Sequence, residues 1–180
     1  MVKEYSKRHV YYTPFVWVER CHYYMRRIFG ESWYEQVVWD LSCGERAMTK
    51  DHNFTELYSS DIDEKVEPDF VYDAMELNLD KMPKGLKEAI TQRKPVIIFT
   101  NTPFGQVGWK IRRMIEQLKT EYNARVIFAC ITNGFFNGIK EPESWFDNFH
   151  YITGFMFESR EFPDLDASFP IMFSVWISKN

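Results

Sequence analysis

An apolar, β-branched run from Val96 to Thr100 ends abruptly in Asn101-Thr102-Pro103-Phe104-Gly105. A buried strand that delivers these residues to the carboxyl edge of a sheet presents a planar amide, a rigid turn and an aromatic ring at one point. Such a set can hold a flat base that carries an amino group. The Asn101 side chain offers an amide oxygen and an amide nitrogen, and the backbone carbonyls of the turn offer further acceptors. Pro103 sets the turn, and Phe104 offers a ring for stacking.

A second set of chemistry-bearing residues consists of acids at strand ends. Val37-Val38-Trp39 reads as a short buried strand that stops at Asp40, and Leu57-Tyr58-Ser59-Ser60 as another that stops at Asp61. The segment from Phe70 to Leu79 reads as a helical turn followed by a strand ending at Asp80. A carboxylate at a strand end can accept both hydroxyls of a ribose, and charge-assisted hydrogen bonds of this kind are the stronger class.

The elements that position these groups alternate between helix and strand. Thr13 is expected as the N-cap and Pro14 as the first residue of a helix that carries Phe15, Val18, Cys21, Met25 and Ile28 and closes at Gly30. Pro83-Lys84-Gly85 opens a helix through about Thr91, and Trp109 to Tyr122 is amphipathic at helical spacing. Arg125 to Ile131 is a strand, and Tyr151 to Phe157 and Phe169 to Ile177 form an antiparallel pair, because the segment between them is too short for a parallel crossover. The pattern predicts an α/β sheet that is mostly parallel with one reversed strand. Ligands bind such sheets off the carboxyl ends of the strands, where Asp40, Asp61, Asp80 and Asn101 all converge.

Composition narrows the function. At 180 residues the chain is expected to form a single domain with a sizeable core. Its 22 basic and 26 acidic residues give a net charge of −4, which argues against a free-standing, non-specific nucleic-acid binder. Lys110, Arg112 and Arg113 form a local basic cluster beside the Asn101 turn. Cys21, Cys43 and Cys130 are odd in number and far apart, which disfavours a disulfide framework or a zinc site and fits a reducing cytoplasm. Cys43 reads as a small packing residue, and His9, His22, His52 and His150 as surface or satisfied core residues. No apolar run reaches the length of a membrane span.

Taken in order, Tyr12-Thr13-Pro14, Val37-Val38-Trp39-Asp40-Leu41-Ser42-Cys43-Gly44, the acid Asp61, Asn101-Thr102-Pro103-Phe104 and the terminal Phe169-Pro170-Ile171-Met172-Phe173-Ser174-Val175-Trp176 resemble the adenine-specific DNA methyltransferases of restriction-modification systems. The resemblance implies a Rossmann-like fold, S-adenosylmethionine as cofactor and methyl transfer to the 6-amino group of adenine in DNA. It implies that Tyr12, Thr13 and Pro14 close over the cofactor and that Asp40, Cys43 and Gly44 begin the cofactor loop. Asp61 is then the acid on the ribose, Asp80 the acid near the cofactor adenine, and Asn101, Thr102, Pro103 and Phe104 the catalytic motif. The target base must be flipped out of a duplex to reach such a site.

The sequence departs from that family at three points. The family's cofactor loop continues with a further glycine, whereas this chain runs Gly44-Glu45-Arg46-Ala47, placing a side chain and two charges where the methionine part of the cofactor lies. Thr102 stands where the motif has a proline. No separate target-recognition region follows the last strand, so recognition is expected from a protein partner, with weak and non-specific DNA binding by the chain alone. Two other readings remain open: a catalytically inactive binding module serving as partner or inhibitor in restriction or phage defence, and an enzyme acting on an RNA base or a protein glutamine.

Overall fold

The computed structural model describes residues 13–103, 106–133, 143–157 and 171–180. Among the described residues seven strands form one sheet: β1 (Val37–Leu41), β2 (Glu56–Asp61), β3 (Phe70–Val71), β4 (Pro95–Asn101), β5 (Arg125–Asn133), β6 (Phe149–Phe157) and β7 (Ile171–Ser178). They lie in the order β3-β2-β1-β4-β5-β7-β6. From β3 across to β5 all neighbours are parallel, while β7 is antiparallel to both β5 and β6 and is the reversed strand. The helices are α1 (Phe15–Phe29), α2 (Lys84–Thr91), α3 (Gln106–Tyr122) and α4 (Glu143–Asn148).

Strand alternation divides the core into two layers. In β4, Val96 and Ile98 face Leu86, Ile90, Ile111, Met114, Ile115 and Leu118 of α2 and α3. Ile97 and Phe99 face the opposite side, where α1 buries Trp17, Val18, Cys21 and Met25 against Val38, Ala129, Phe173 and Val175. The apolar run that reads as one buried strand is apolar on both sides because helices cover both faces of the sheet. Trp39, Phe99, Phe128 and Trp176 are completely enclosed, and such side chains contribute about 1.5–3 kcal/mol each on burial.

The half of the sheet formed by β1, β2 and β3 is built differently. The connection from β1 to β2, residues 42–55, runs through turns, and that from β2 to β3 contains one 3-10 turn at Glu64–Val66. Parallel strands are usually joined by a helix that packs back on the sheet. Here side chains hold the connections instead: the Asp69 carboxylate accepts from the Ser59 amide at 2.7 Å and the Ser59 hydroxyl at 2.8 Å. Arg46 in turn donates to the Glu67 carbonyl at 2.8 Å and to Asp69 at 3.1 Å.

Two expectations are corrected here. Pro14, rather than Thr13, is the residue capping α1, its carbonyl accepting from the amides of Trp17 and Val18, and no side chain caps that end. Gly30 closes the helix as expected, with a φ of 73°. The second correction concerns Asp80. The strand in this region is Phe70–Val71 at its start, and Asp80 lies in a 3-10 turn, exposed and bonded to Lys87 at 2.6 Å. That bond holds the Asp80 carboxyl below its usual range. Phe70-Val71-Tyr72 carried the β-branched and aromatic signal, but the alternation of Glu76-Leu77-Asn78-Leu79-Asp80 after it mimics a half-buried strand and made the strand look later than it is. Among the described residues no helix is long and apolar enough to cross a membrane.

Candidate functional site at the carboxyl edge

Asn101 is the last residue of β4, paired in register with Ile131 of β5. Its predecessor Thr100 is buried, and the Thr100 hydroxyl donates to the Leu41 carbonyl, joining the ends of β4 and β1. Beyond Asn101, Thr102 donates both its amide (3.1 Å) and its hydroxyl (3.2 Å) to the Ile131 carbonyl. A proline has no amide proton to give, so threonine holds this turn by hydrogen bonds to β5 where a ring would hold it by its own stiffness.

The turn is pressed against the start of α3. A Cβ added at Gly108 would lie 2.5 Å from the Pro103 carbonyl oxygen, so glycine is what allows the helix backbone to approach the turn this closely. The sequence pattern did not single out Gly108, whose signal is a lone glycine in the first turn of α3. On the other side of the turn the Asn101 side-chain nitrogen donates to the Thr13 hydroxyl at 2.9 Å. Thr13 is buried, and this contact joins the start of α1 to the end of β4. Thus Thr13, Pro14, Asn101, Thr102 and Pro103 come together. Tyr12 and Phe104 lie outside the described residues.

The loop after β1 forms the neighbouring part of the edge. Ser42, Gly44 and Arg46 all have left-handed backbone, with φ of 60°, 50° and 58°. The loop therefore keeps at three alternating positions a conformation that suits glycine, although one of the three is a glycine. Each non-glycine residue so held costs roughly 1–2 kcal/mol. A Cβ at Gly44 would meet nothing within 4 Å, so the backbone there is open to a neighbour. The Arg46 guanidinium is drawn onto Glu67 and Asp69, and Glu45 is exposed.

Asp61 organises this edge. Its Oδ2 accepts from the Gly44 amide at 2.9 Å and its Oδ1 from the Asp63 amide at 3.0 Å, while its own carbonyl accepts from the Tyr72 amide at 2.9 Å. A carboxylate has about four lone-pair sites, so two further donors can be accommodated. Asp40 plays another part. It is 1 % exposed and accepts from the Thr49 hydroxyl at 2.7 Å, beneath the loop rather than at its surface. Burial pushes its carboxyl up to about 7, against the opposing Thr49 bond. Cys43 is likewise buried, and burial together with Asp40 and Asp61 pushes its thiol up to about 12, which makes it a packing residue without thiolate character.

Asp40, Cys43, Gly44 and Asp61 thus gather at one end of the sheet, and Asp80 does not join them. With β3 ending at Val71, the acid that follows it is Asp73, whose Oδ1 accepts from the Met75 amide at 2.9 Å. The signal for Asp73 was the Phe70-Val71-Tyr72 triplet immediately before it.

No family model matches this sequence, and no curated protein matches it either. Solved structures do match in fold. A candidate RNA methyltransferase from Pyrococcus horikoshii superposes with a TM-score of 0.58 at 15% identity, over 94% of this chain and 87% of its own. An S-adenosylmethionine-dependent methyltransferase from Anabaena variabilis gives 0.56 at 18% identity, over 91% and 85%. The 23S rRNA methyltransferase ErmE gives 0.57 at 10% identity, over 94% and 70%. The fold is therefore the Rossmann-like fold of these methyltransferases, with the reversed seventh strand that the topology already displays.

Proposed function

We propose that this chain transfers the methyl group of S-adenosylmethionine to the 6-amino group of adenine in DNA. The observation that carries this reading is the placement of the Asn101 amide at the end of β4, held by Thr13 on one side and followed by a turn fixed to β5 and α3. An adenine amine is a poor nucleophile because its lone pair is delocalised into the ring. The Asn101 side-chain oxygen and the Thr102 carbonyl accept its two protons, which draws the nitrogen toward a tetrahedral geometry with a lone pair free to attack. Interactions of this kind strengthen as the amine gains positive character, so they act on the rate rather than on ground-state affinity.

The residues of the neighbouring edge fit the cofactor. Gly44 leaves open backbone, Asp61 has acceptor sites beyond those used by Gly44 and Asp63, and Asp73 follows β3. Asp61 would hold the ribose hydroxyls and Asp73 the adenine end, with Thr13 and Pro14 beside the acceptor amine. S-adenosylmethionine supplies an electrophilic methyl group on its sulfonium. Asp40 supports the loop from below and makes no contact with a ligand in this reading.

A second reading keeps the chemistry and moves the acceptor amine to RNA, since two of the structural neighbours are described as acting on RNA. Tritiated S-adenosylmethionine offered with adenine-containing DNA and RNA, each single-stranded and duplex, distinguishes the two. Recovery of 6-methyladenine from DNA supports the proposal, and label confined to RNA establishes the second reading. Binding of S-adenosylhomocysteine with no transfer to either polymer overturns both nucleic-acid readings and leaves a protein acceptor or a binding module.

A further inference from the structure

The hydrogen bond between Thr13 and Asn101 gives the N-terminal helix a part in catalysis that its sequence motif does not suggest. The motif places Thr13 over the cofactor, yet in the structure its hydroxyl meets the side-chain nitrogen of Asn101 at 2.9 Å. A side-chain amide can rotate about its last torsion, and that torsion is broad and roughly two-fold. Turned by half a revolution, Asn101 would present a donor to the acceptor amine in place of an acceptor and would repel it. Something must therefore hold the amide nitrogen on the far side, and a hydroxyl does so when it accepts, as that of Thr13 does here, with its own proton directed away from Asn101.

We infer that Thr13 is the positioning residue that fixes the orientation of the Asn101 amide, so that its oxygen is presented to an amine acceptor. This rests on the catalytic reading of Asn101 given above. Three observations support the assignment. Thr13 is buried, so water does not compete freely for its hydroxyl. Its backbone is anchored, because the next residue, Pro14, caps α1 through two backbone hydrogen bonds. The helix is in turn fixed to the sheet near this end by Trp17, which stacks on Phe157 with ring centroids 3.7 Å apart and planes 9° from parallel, and by Arg20 over the Phe155 ring at 4.5 Å. The Thr13 hydroxyl is thus held by the same rigid layer that covers this face of the sheet, and the Asn101 backbone is held by β5.

The consequence is a specificity as well as a rate. With its nitrogen given to Thr13, Asn101 offers an acceptor and selects acceptor groups that donate protons, namely exocyclic amines and amides, over ring nitrogens and carbonyl oxygens. The helix that the family motif assigns to cofactor closure thereby reports on the acceptor side.

The test uses the full chain with Thr13→Val, which removes the hydroxyl at nearly constant volume, and Thr13→Ser, which retains it. Transfer from tritiated S-adenosylmethionine to adenine-containing DNA and RNA is measured at saturating cofactor, with S-adenosylhomocysteine affinity measured by calorimetry. Thr13→Val is expected to lower kcat by about tenfold to a hundredfold through misplacement of the amide, with Thr13→Ser restoring most of it and affinity for S-adenosylhomocysteine unchanged in both. Weakened S-adenosylhomocysteine binding with an intact kcat would assign Thr13 to the cofactor and overturn the inference.

A second measurement does not depend on turnover and separates this inference from the proposed function. The side-chain amide protons of Asn101, identified by their loss in Asn101→Ala, are followed by nitrogen-15 correlation spectroscopy in the wild-type chain. Protection from exchange, a shift in Thr13→Val and its reversal in Thr13→Ser support the positioning role even if no polymer is methylated. Exchange as rapid as that of an exposed amide in the wild-type chain overturns it, whether or not Thr13→Val folds.

Discussion

The half of the sheet proposed to hold the acceptor and the half proposed to hold the cofactor are held together by different forces. On the acceptor side, β4, β5, β7 and β6 are seven to nine residues long and pair in nearly continuous register, with one irregularity near Tyr151. Large enclosed side chains join them to α1, α3 and α4, among them Phe99, Phe128, Trp145, Phe173 and Trp176. On the cofactor side, β1 and β2 have five and six residues and β3 has two, and the connections between them carry no α-helix. There the apolar joining runs through Trp39 with Phe70 and Tyr72, and polar side chains hold the loops: Asp69 to Ser59 and Arg46, Asp61 to Gly44, and Thr49 to Asp40. Burial is non-directional and tolerant of small shifts, whereas a hydrogen-bonded loop depends on each partner. The comparison therefore predicts that substitutions on the acceptor side and the cofactor side leave different signatures.

The largest effect is expected at Asn101. Asn101→Ala should lower the rate of methyl transfer by on the order of 10²–10³, the loss typical of removing one preorganised hydrogen-bonding group from a transition state. Affinity for S-adenosylhomocysteine should stay within a factor of two, at about 0.4 kcal/mol. Single-turnover transfer and calorimetry check the two limbs. A variant with normal turnover would reduce the Asn101 turn to a structural one, and a large loss of cofactor affinity would erase the division between the halves.

Next in size is Asp69→Ala. It leaves the Ser59 amide and hydroxyl and the Arg46 guanidinium without the carboxylate that joins them, at a cost of about 1–3 kcal/mol. Burial raises the Asp69 carboxyl, but the hydrogen bonds from Ser59 and the charge of Arg46 outweigh this and keep it below its ordinary value, which marks these contacts as favouring the charged form. Native-state hydrogen exchange should show faster opening of β2 and β3 with β4, β5 and β7 unchanged. Equal acceleration across the sheet would mean that the halves unfold as one unit.

What was legible from the sequence follows the same division. The runs at Val96, Arg125 and Ile171 announce their strands because enclosure on both faces demands continuous apolar residues, whereas Tyr151–Phe157 is a half-exposed edge strand legible from its aromatic and β-branched content. Asp61 and Asn101 were found at strand ends because those strands were found. The cofactor side was legible only in part: β1 and β2 were found within a residue or two of their bounds, but β3 and the loop order, which comes from pairs distant in sequence such as Ser59 with Asp69 and Arg46 with Asp69, leave no periodicity. Phe70–Val71 is too short to stand out, so its following acid was sought at Asp80 and lies at Asp73. Thr13 misled for a related reason: threonine before Pro14 fits a helix cap by local chemistry, but its hydroxyl is taken by Asn101, 88 positions along the chain.

Two buried groups, Asp40 in β1 and His22 in α1, have opposing pH behaviour. Asp40 is raised from about 3.8 unfolded to about 7 folded, so the native state retains a proton that the unfolded chain releases, and stability falls as pH rises through this window. His22 donates its Nε2–H to the Met48 carbonyl at 2.8 Å, its Nδ1 accepts from the Tyr34 hydroxyl at 2.9 Å, and the ring stacks on His52 with centroids 3.4 Å apart. Burial lowers it from 6.5 to about 3, so the unfolded chain takes up the proton first and stability rises with pH over that range. The two contributions oppose each other over their shared range. Asp40→Asn keeps an oxygen to accept the Thr49 hydroxyl and removes one of them. The stability of Asp40→Asn relative to wild type should then increase by up to about 1.4 kcal/mol per pH unit between the two Asp40 values, read from urea titrations at a series of pH values. A constant difference across that range would show that Asp40 is ionised in the folded chain.

The smallest effect tests whether the altered loop obstructs its ligand. Arg46 has left-handed backbone, and its side chain is held against Glu67 and Asp69. Arg46→Gly removes a backbone strain of roughly 1–2 kcal/mol and also removes a partly exposed ion pair worth about 0.2–1 kcal/mol. The glycine variant should therefore be as stable as wild type or slightly more so. Arg46→Ala loses the ion pair and keeps the strain, and should be less stable than the glycine variant by about 1 kcal/mol. Because the guanidinium is already drawn toward Asp69, clearing it should tighten S-adenosylhomocysteine binding by less than about threefold, or some 0.7 kcal/mol, in either variant. Chemical denaturation and calorimetry on the pair separate backbone from side chain. A gain of tenfold or more in both variants would locate the obstruction in the Arg46 side chain, and a gain confined to Arg46→Gly would locate it in the backbone that a non-glycine residue imposes on the loop.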